Sequence, residues 1–318
     1  MNIELKALAD LNDIENNKIQ QSNLVVEANK NWNYSSGARE YYLEYFGPDY
    51  LNRSFVVLAE REPVAFAYIF MKEEVSYYNM PVNIFLTKPL VSKKIVTLIL
   101  DFLKEISNGN EIKLYDNSFL TYELIGSADL KLSISQEYSY IVDMSVDMEI
   151  IWTNIRRRYK SMINWCIKNI NYKIITSDNF DRDEFLKLKQ FHLETAGKST
   201  RSDRSWEIQM DMIANGEAFL INGYLEDKLV SSGWYMLGEV TYYGVGVYDR
   251  ELMNTNRGIA HGSMYKAIEY VHQKGGKGFL LGYYEDYDKL SEKEQQIFNF
   301  KRGFSHELMI KNLLLLNY

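Results

Sequence analysis

Arg156, Arg157, Arg158 and Lys160 fall within five positions of the stretch "IRRRYKSMINW", residues 155–165. Cations packed this densely serve phosphate recognition, along a nucleic acid or at a small ligand, or they solvate one helix face. The apolar residues around them bear on the choice. Trp152, Ile155, Tyr159, Met162, Ile163 and Cys166 recur at helical spacing as one stripe. Arg156, Arg157, Lys160 and Asn164 lie off that stripe, and Arg158 flanks it. The spacing predicts one amphipathic helix, buried on one side and cationic on the other. The chain's net charge of −7 argues against a general nucleic-acid binder. The spacing and charge leave two readings of the cationic side, a phosphate contact or a solvated face.

Other residues with chemical potential are scattered. Lys301 lies among aromatic residues in "FNFKRGFS", where a lysine near a cleft supplies a fixed positive charge; a surface lysine before a final strand is the plainer reading. His261 falls in the first turn of the helix predicted over "GIAHGSMYKAIEYVHQKGG" and suits a phosphate contact, a base or a structural role. Glu285, Asp286 and Asp288 follow the predicted strand "GFLLG" and form either a cleft wall or a solvated loop. Four histidines far apart and one cysteine make no metal constellation and no disulfide. Cys166 lies on the apolar stripe and reads as a small hydrophobe. No Gly-x-Ser-x-Gly or Ser/His/Asp pattern is present.

Two halves of similar grammar must position these groups. Residues 1–150 hold 13 Lys/Arg against 22 Asp/Glu, whereas residues 151–318 hold 23 against 21. In the first half, "SFVVLAEREPVAFAYIF" predicts a hairpin turning at "EREP", and "YYNMPVNIFLT" and "EIKLYD" predict further strands. "SKKIVTLILDFLKEIS" predicts a helix capped by Ser92, with Ile95, Leu98, Ile99, Phe102 and Leu103 on one face. In the second half a helix ends near Gly197. Three strands turn at "LEDKL" and "MLGEV", and a helix then stops at Gly275 and Gly276 before the strand "GFLLGYY". This order predicts an α+β fold of two domains, residues 1–145 and 146–318. The opening residues lack a signal-peptide pattern and no apolar run spans a bilayer, so a soluble cytoplasmic protein is expected.

Helix, antiparallel strands, helix, strand is the order of the GNAT acyltransferase superfamily, which the second half resembles. Its phosphate signature, Gln/Arg-x-x-Gly-x-Gly/Ala, is partly matched by "TNRGIAHG": Gly258 and Ala260 fit, and Thr255 stands where Gln/Arg is expected. A closer resemblance, to the Fem family of tandem-GNAT transferases, rests on several motifs in order across some 160 residues. These are "YIVDMSVDMEIIWTNIRRRYKSMINWCIKN", then "YYGVGVYDRELMNTNRGIAHGSMYKAIEYVHQKGGKGFLLG", then Phe300, Lys301, Arg302, Gly303 and Phe304, which match Phe-Lys-x-Gly-Phe in full. The basic helix departs from the family's Arg-Ser-Asn-Ile-x-x-Ala: Lys160, Met162 and Cys166 replace its arginine, asparagine and alanine.

The resemblance implies two GNAT-like domains, each a mostly antiparallel sheet flanked by helices. The second carries a donor site at the start of its middle helix. It implies an N-acyltransferase using acyl-CoA, or aminoacyl-tRNA as the alternative, and no metal. The acceptor would be a small-molecule or nucleotide-linked amine, on an amino sugar or cell-surface precursor. A relative that binds such ligands without turnover is the other alternative. Lys301 would stabilise the oxyanion, with Glu285 or His261 as base. Arg257, Gly258, Ala260, Gly262 and Phe300 would hold the donor, and Arg156, Arg158, Arg201 and Arg204 the acceptor. The inserted helical arm of tRNA-dependent members is missing here, which tilts the donor towards acyl-CoA.

Overall fold

The computed structural model describes residues 2–87, 92–116, 131–255, 257–284, 290–305 and 307–317, with the side chains of Tyr283 and Tyr284 set aside. Two compact units emerge that interleave along the chain: residues 1–30, 46–137 and 310–318 form the first, and residues 31–45 and 138–309 the second.

The first unit contains a four-stranded sheet ordered β1-β3-β4-β6 (Ile3–Ala7, Phe55–Ala59, Glu62–Ala67, Phe85–Leu86). The hairpin read at "EREP" is present: Ala59 pairs with Glu62, and Glu60 and Arg61 turn the chain with φ of 50° and 70°. Positive φ at both turn residues suits the twist of the flanking strands. The helix over residues 93–107 (α4, Lys93–Ser107) buries Ile95, Val96, Ile99 and Leu103. Leu98 and Phe102 pack at its margin, and Asn108 ends it in the left-handed conformation. Ser92 occupies the N-cap position without a side-chain cap bond. The strand expected over "YYNMPVNIFLT" is reduced to bridges at Tyr77, Met80 and Val82 and the two residues of β6. Positive φ at Tyr78 and Asn79 breaks the extended run there. Ile112–Tyr115 (β7) pairs with the end of Glu307–Asn317 (β14), burying Ile112, Leu114, Leu314 and Leu316.

The second unit is built on the sheet β8-β13-β12-β11-β10-β9. Ile170–Ile175 (β9), Ala218–Leu225 (β10), Lys228–Met236 (β11) and Val240–Tyr248 (β12) form an antiparallel meander. The helix α10 (Ile259–Gln273) then crosses to Gly278–Tyr284 (β13), which lies parallel to β12 and antiparallel to the end of Lys131–Asp143 (β8). One sheet face buries Phe219, Ile221, Tyr235 and Phe279 with Met264, Ala267, Ile268 and Val271 of α10. On the other face Trp234 donates its indole N–H to the Gln209 carbonyl of α8 (Asp203–Ala214) at 3.2 Å. The helix ending at Gly197 is α7 (Arg182–Ala196).

The single basic helix expected over residues 152–166 is two. Met148–Asn154 (α5) ends at Ile155, which is extended with ψ of 134°, and α6 (Arg157–Asn169) begins afresh after Arg156. The Arg156 amide donates to the Gly303 carbonyl at 2.8 Å, so a tertiary bond takes the group that a continuous helix would have used internally. Ile155, Tyr159, Ile163 and Cys166 are nevertheless all buried.

Candidate functional site

The site begins with a defect in β12. Residues 231–234 pair with 248–245, but Tyr235 pairs with Tyr243, leaving Gly244 as the extra residue of a β-bulge. A methyl group at Gly244 would stand 2.7 Å from the Trp234 ring, so only glycine fits. A bulge sharpens the twist and bends the strand. On the far side, the parallel ladder to β13 ends at the same place: Tyr242↔Leu280 is its last pair among the described residues. Beyond it the strands part. The bulge also resets the pleat, so Tyr243, Gly246 and Tyr248 share a face, with the two tyrosine hydroxyls 3.0 Å apart. Any side chain on Gly246 would collide with both hydroxyls.

A cleft of about 570 Å³ opens along this edge. Tyr243, Gly246 and Tyr248 form one wall, the start of α10 another, and α11 (Glu292–Arg302) a third through Lys293, Ile297, Phe300 and Lys301. Gly258 caps α10 with φ of 65° and no side-chain cap bond. Its bare Cα lies against Met162 of α6, where a Cβ would collide. The His261 and Gly262 amides both turn back to the Gly258 carbonyl, at 2.8 and 3.2 Å. The amides of Ile259 and Ala260, both cleft residues, are left without a partner among the described residues. Such a helix start binds anions through its free N–H groups and dipole.

Lys301 is half-buried in the cleft, its ammonium 5.3 Å from the centre of the Tyr243 ring. Burial pulls its pKa down to about 8, so it still carries its charge at neutral pH. His261 sits in an aromatic cage: the rings of Tyr159, Phe300 and Phe304 stand 4.2, 4.9 and 6.0 Å away. Burial is the main cause of its pKa falling to about 4, with repulsion from Arg158 and Arg156 adding to it. Its Nδ1 is buried without a hydrogen-bond partner among the described residues. Gly303 is needed because the Tyr159 ring rests on its Cα; a side chain there would overlap the ring. Tyr159 in turn offers its hydroxyl to the Asn299 and Phe300 carbonyls at 3.3 Å, fixing α6 to the end of α11.

The fold gathers Lys301, His261, Phe300, Gly258 and Ala260 into this cleft. Arg156 and Arg158 lie over the Tyr159 ring at 5.2 and 5.5 Å, beside the cage. Gly262 faces away from the cleft: it is buried against Cys166 and the Tyr172 hydroxyl, so its role is close packing of α10 on α6. Arg257 is exposed and covers the Trp165 ring at 5.4 Å instead of lining the cleft. Arg201 is held by the Tyr41 hydroxyl at 3.3 Å, by His192 at 3.2 Å and by the face of Trp206. Arg204 is neutralised by Glu40 and Glu207. Neither of these two arginines is among the lining residues of the cleft. Glu285, with Asp286 and Asp288, lies outside the described residues. Among those described, no group of His, Cys, Asp and Glu could hold a metal ion.

Tyr243, Tyr248 and the bulge at Gly244 are missing from the residues singled out on sequence. Their signal is present in "YYGVGVY": two glycines inside a strand mark a bulge or a close approach.

No known family model matches this sequence, and no curated protein matches it. Solved structures do. FemX superposes with a TM-score of 0.59 at 14% identity, covering 85% of this chain and 90% of that one. The C-terminal domain of a putative lysylphosphatidylglycerol synthetase from Agrobacterium fabrum gives 0.57 at 9% identity over 95% and 92%. A tandem GNAT protein from the clavulanic acid biosynthesis pathway gives 0.55 at 10% identity over 99% and 98%. The chain therefore has the Fem-like, tandem GNAT-type α+β fold. Among the described residues no helix is long and apolar enough to cross a membrane.

Proposed function

We propose that this protein is an N-acyltransferase, moving an acyl group from a coenzyme A thioester to the amine of an amino sugar or cell-surface precursor. The observation that carries this reading is the lysine ammonium of Lys301 in a cleft that also opens on the uncapped start of α10. The Ile259 and Ala260 amides are the groups available for the donor's diphosphate. The parted edges of β12 and β13 leave room for an extended thioester arm.

Attack of the amine on the thioester carbonyl forms a C–N bond and places negative charge on the carbonyl oxygen. Lys301, cationic below pH about 8, faces that charge in a site walled by aromatic rings. Collapse breaks the C–S bond, and the thiolate takes up a proton. The proton lost by the nitrogen passes to neutral His261 or to solvent. With a pKa of about 4, His261 relays a proton rather than holding it. Replacing Lys301 by alanine should lower kcat by roughly 10²–10³-fold, while acetyl-CoA still shifts the melting temperature. Undiminished turnover in K301A would sink the assignment.

Aminoacyl-tRNA is the second reading of the donor. The exposed cations Arg157 and Arg158 at the start of α6 favour it. It predicts RNA affinity that falls steeply with salt, and acyl transfer from acetyl-CoA alone would remove it.

A further inference from the structure

A second hollow, of about 320 Å³, adjoins the cleft. His192, Thr195 and Ala196 at the end of α7 line it, with Val247, Arg250 and Lys293. It shares Gly246, Tyr248, Met253 and Lys293 with the cleft, so the two are ends of one trough passing over Gly246. Their chemistry differs. The cleft end is walled largely by apolar and aromatic groups around Lys301. The other end carries Arg250 beside the shared Lys293, and no carboxylate among its described lining residues. Several other cations of this unit do have carboxylate partners: Lys228 with Asp249 at 2.7 Å, Lys187 with Glu184 at 2.8 Å, Lys189 with Asp203 at 2.6 Å. Neither Arg250 nor Lys293 forms an ion pair or side-chain hydrogen bond among the described residues.

His192 adds a neutral donor. Arg201 can only donate, so its 3.2 Å contact with Nε2 makes that nitrogen the acceptor and puts the ring proton on Nδ1. Burial, and then Arg201, hold the His192 pKa below its usual value. The carbonyl end of α7 opposes an anion with about half a charge; two full positive charges outweigh it.

We propose that this hollow binds an anionic group, phosphate or carboxylate, carried by the amine acceptor, whose amine then reaches along the trough to Lys301. The inference rests on the acyl-transfer reading for the identity of the ligand. It replaces Arg201 and Arg204, which are engaged elsewhere, with Arg250 and Lys293 as the residues that read acceptor charge. The substrate class narrows to acidic amines, such as phosphorylated amino sugars.

Glucosamine and glucosamine 6-phosphate make a matched neutral and anionic pair. Calorimetric titration of the full chain should show the phosphate ester binding at least tenfold more tightly. The double variant R250A/K293A should lose that preference, and R250K/K293R should keep it. Both positions are exposed, so the variants should melt with the wild type. Equal binding of the two sugars to wild type, or an unchanged preference in the double alanine variant, overturns the proposal. A fall in acetyl-CoA affinity in place of the sugar effect also overturns it, by assigning the hollow to the donor's phosphates. Acyl transfer is scored separately by thiol release. Its absence with every amine counts against the enzymatic reading, while the titration still decides the anion site.

Discussion

If Lys301 works as a cation, its titration must appear in the rate. Burial pulls its pKa from the ordinary lysine value of 10.5 down to about 8. Activity that needs the ammonium should halve near pH 8 and fall about tenfold by pH 9. An acceptor amine adds a rising limb at lower pH as it loses its own proton, so the raw profile is a bell. The ratio of wild type to K301R isolates the lysine, because the acceptor's titration is common to both and a guanidinium stays charged throughout. That ratio should fall by a factor of ten for each unit above pH 8. Tyr243 tunes the position of the limb: its ring face, 5.3 Å from the ammonium, favours the charged form. A cation–π contact of about 0.5–1 kcal/mol corresponds to a shift of roughly half a unit. Y243L should therefore move the alkaline limb towards acid, and Y243F should leave it in place. The assay is kcat/KM from thiol release between pH 6 and 10. A wild-type to K301R ratio that rises through pH 8 would show that the neutral amine is the working form, and the oxyanion assignment would be wrong.

Three further outcomes follow from the same geometry. His261, with its pKa lowered from 6.5 to about 4, stays neutral when folded while the unfolded chain takes up a proton. Stability should be fully present above pH 6.5 and fall by up to about 3 kcal/mol as pH drops to 4, and H261F should flatten that slope in urea titrations. Glu184 is 3% exposed; burial opposes its charge, but bonds from Lys187, Tyr224, Asn222 and Lys173 outweigh it and hold its pKa near 2. Wild-type stability should decline between pH 4.5 and 2 by up to ~3 kcal/mol, and E184Q should remove that decline while costing about 1–3 kcal/mol at neutral pH. A methyl group in G246A displaces the paired hydroxyls of Tyr243 and Tyr248, so kcat/KM should drop by about a hundredfold with a melting temperature close to wild type. Unchanged kinetics would mean that the cleft does not depend on that pair.

Local patterning carried a good deal. The 3.6-residue recurrence of Ile95, Ile99 and Leu103 is enough to fix which face of α4 is buried, because a one-sided helix has only one way to hide its apolar stripe. Alternation and turn residues delimit β10, β11 and β12, and the glycines at 258, 275 and 276 delimit α10. The same logic fails at Ile155. A helical period says that residues can share a face, but it cannot register that the Gly303 carbonyl will take the Arg156 amide from 147 positions away. Nor does it separate Gly258, which borders the cleft, from Gly262, which lets α10 close on Cys166.

The sequence by itself determined the order of elements, the Phe-Lys-Arg-Gly-Phe ending and the amphipathic helices, because these depend on neighbours within one or two turns. Only the tertiary structure decided which charged groups are available. Arg201 and Arg204 are claimed by Tyr41, His192, Glu40 and Glu207, while Arg250 and Lys293, unremarkable in the sequence, line a hollow with no carboxylate among its described lining residues. Ion pairing and burial are properties of distances across the fold. So the chemistry of Lys301 and His261 was set when α6, α10 and α11 closed around Tyr159, and not by the residues beside them in the chain.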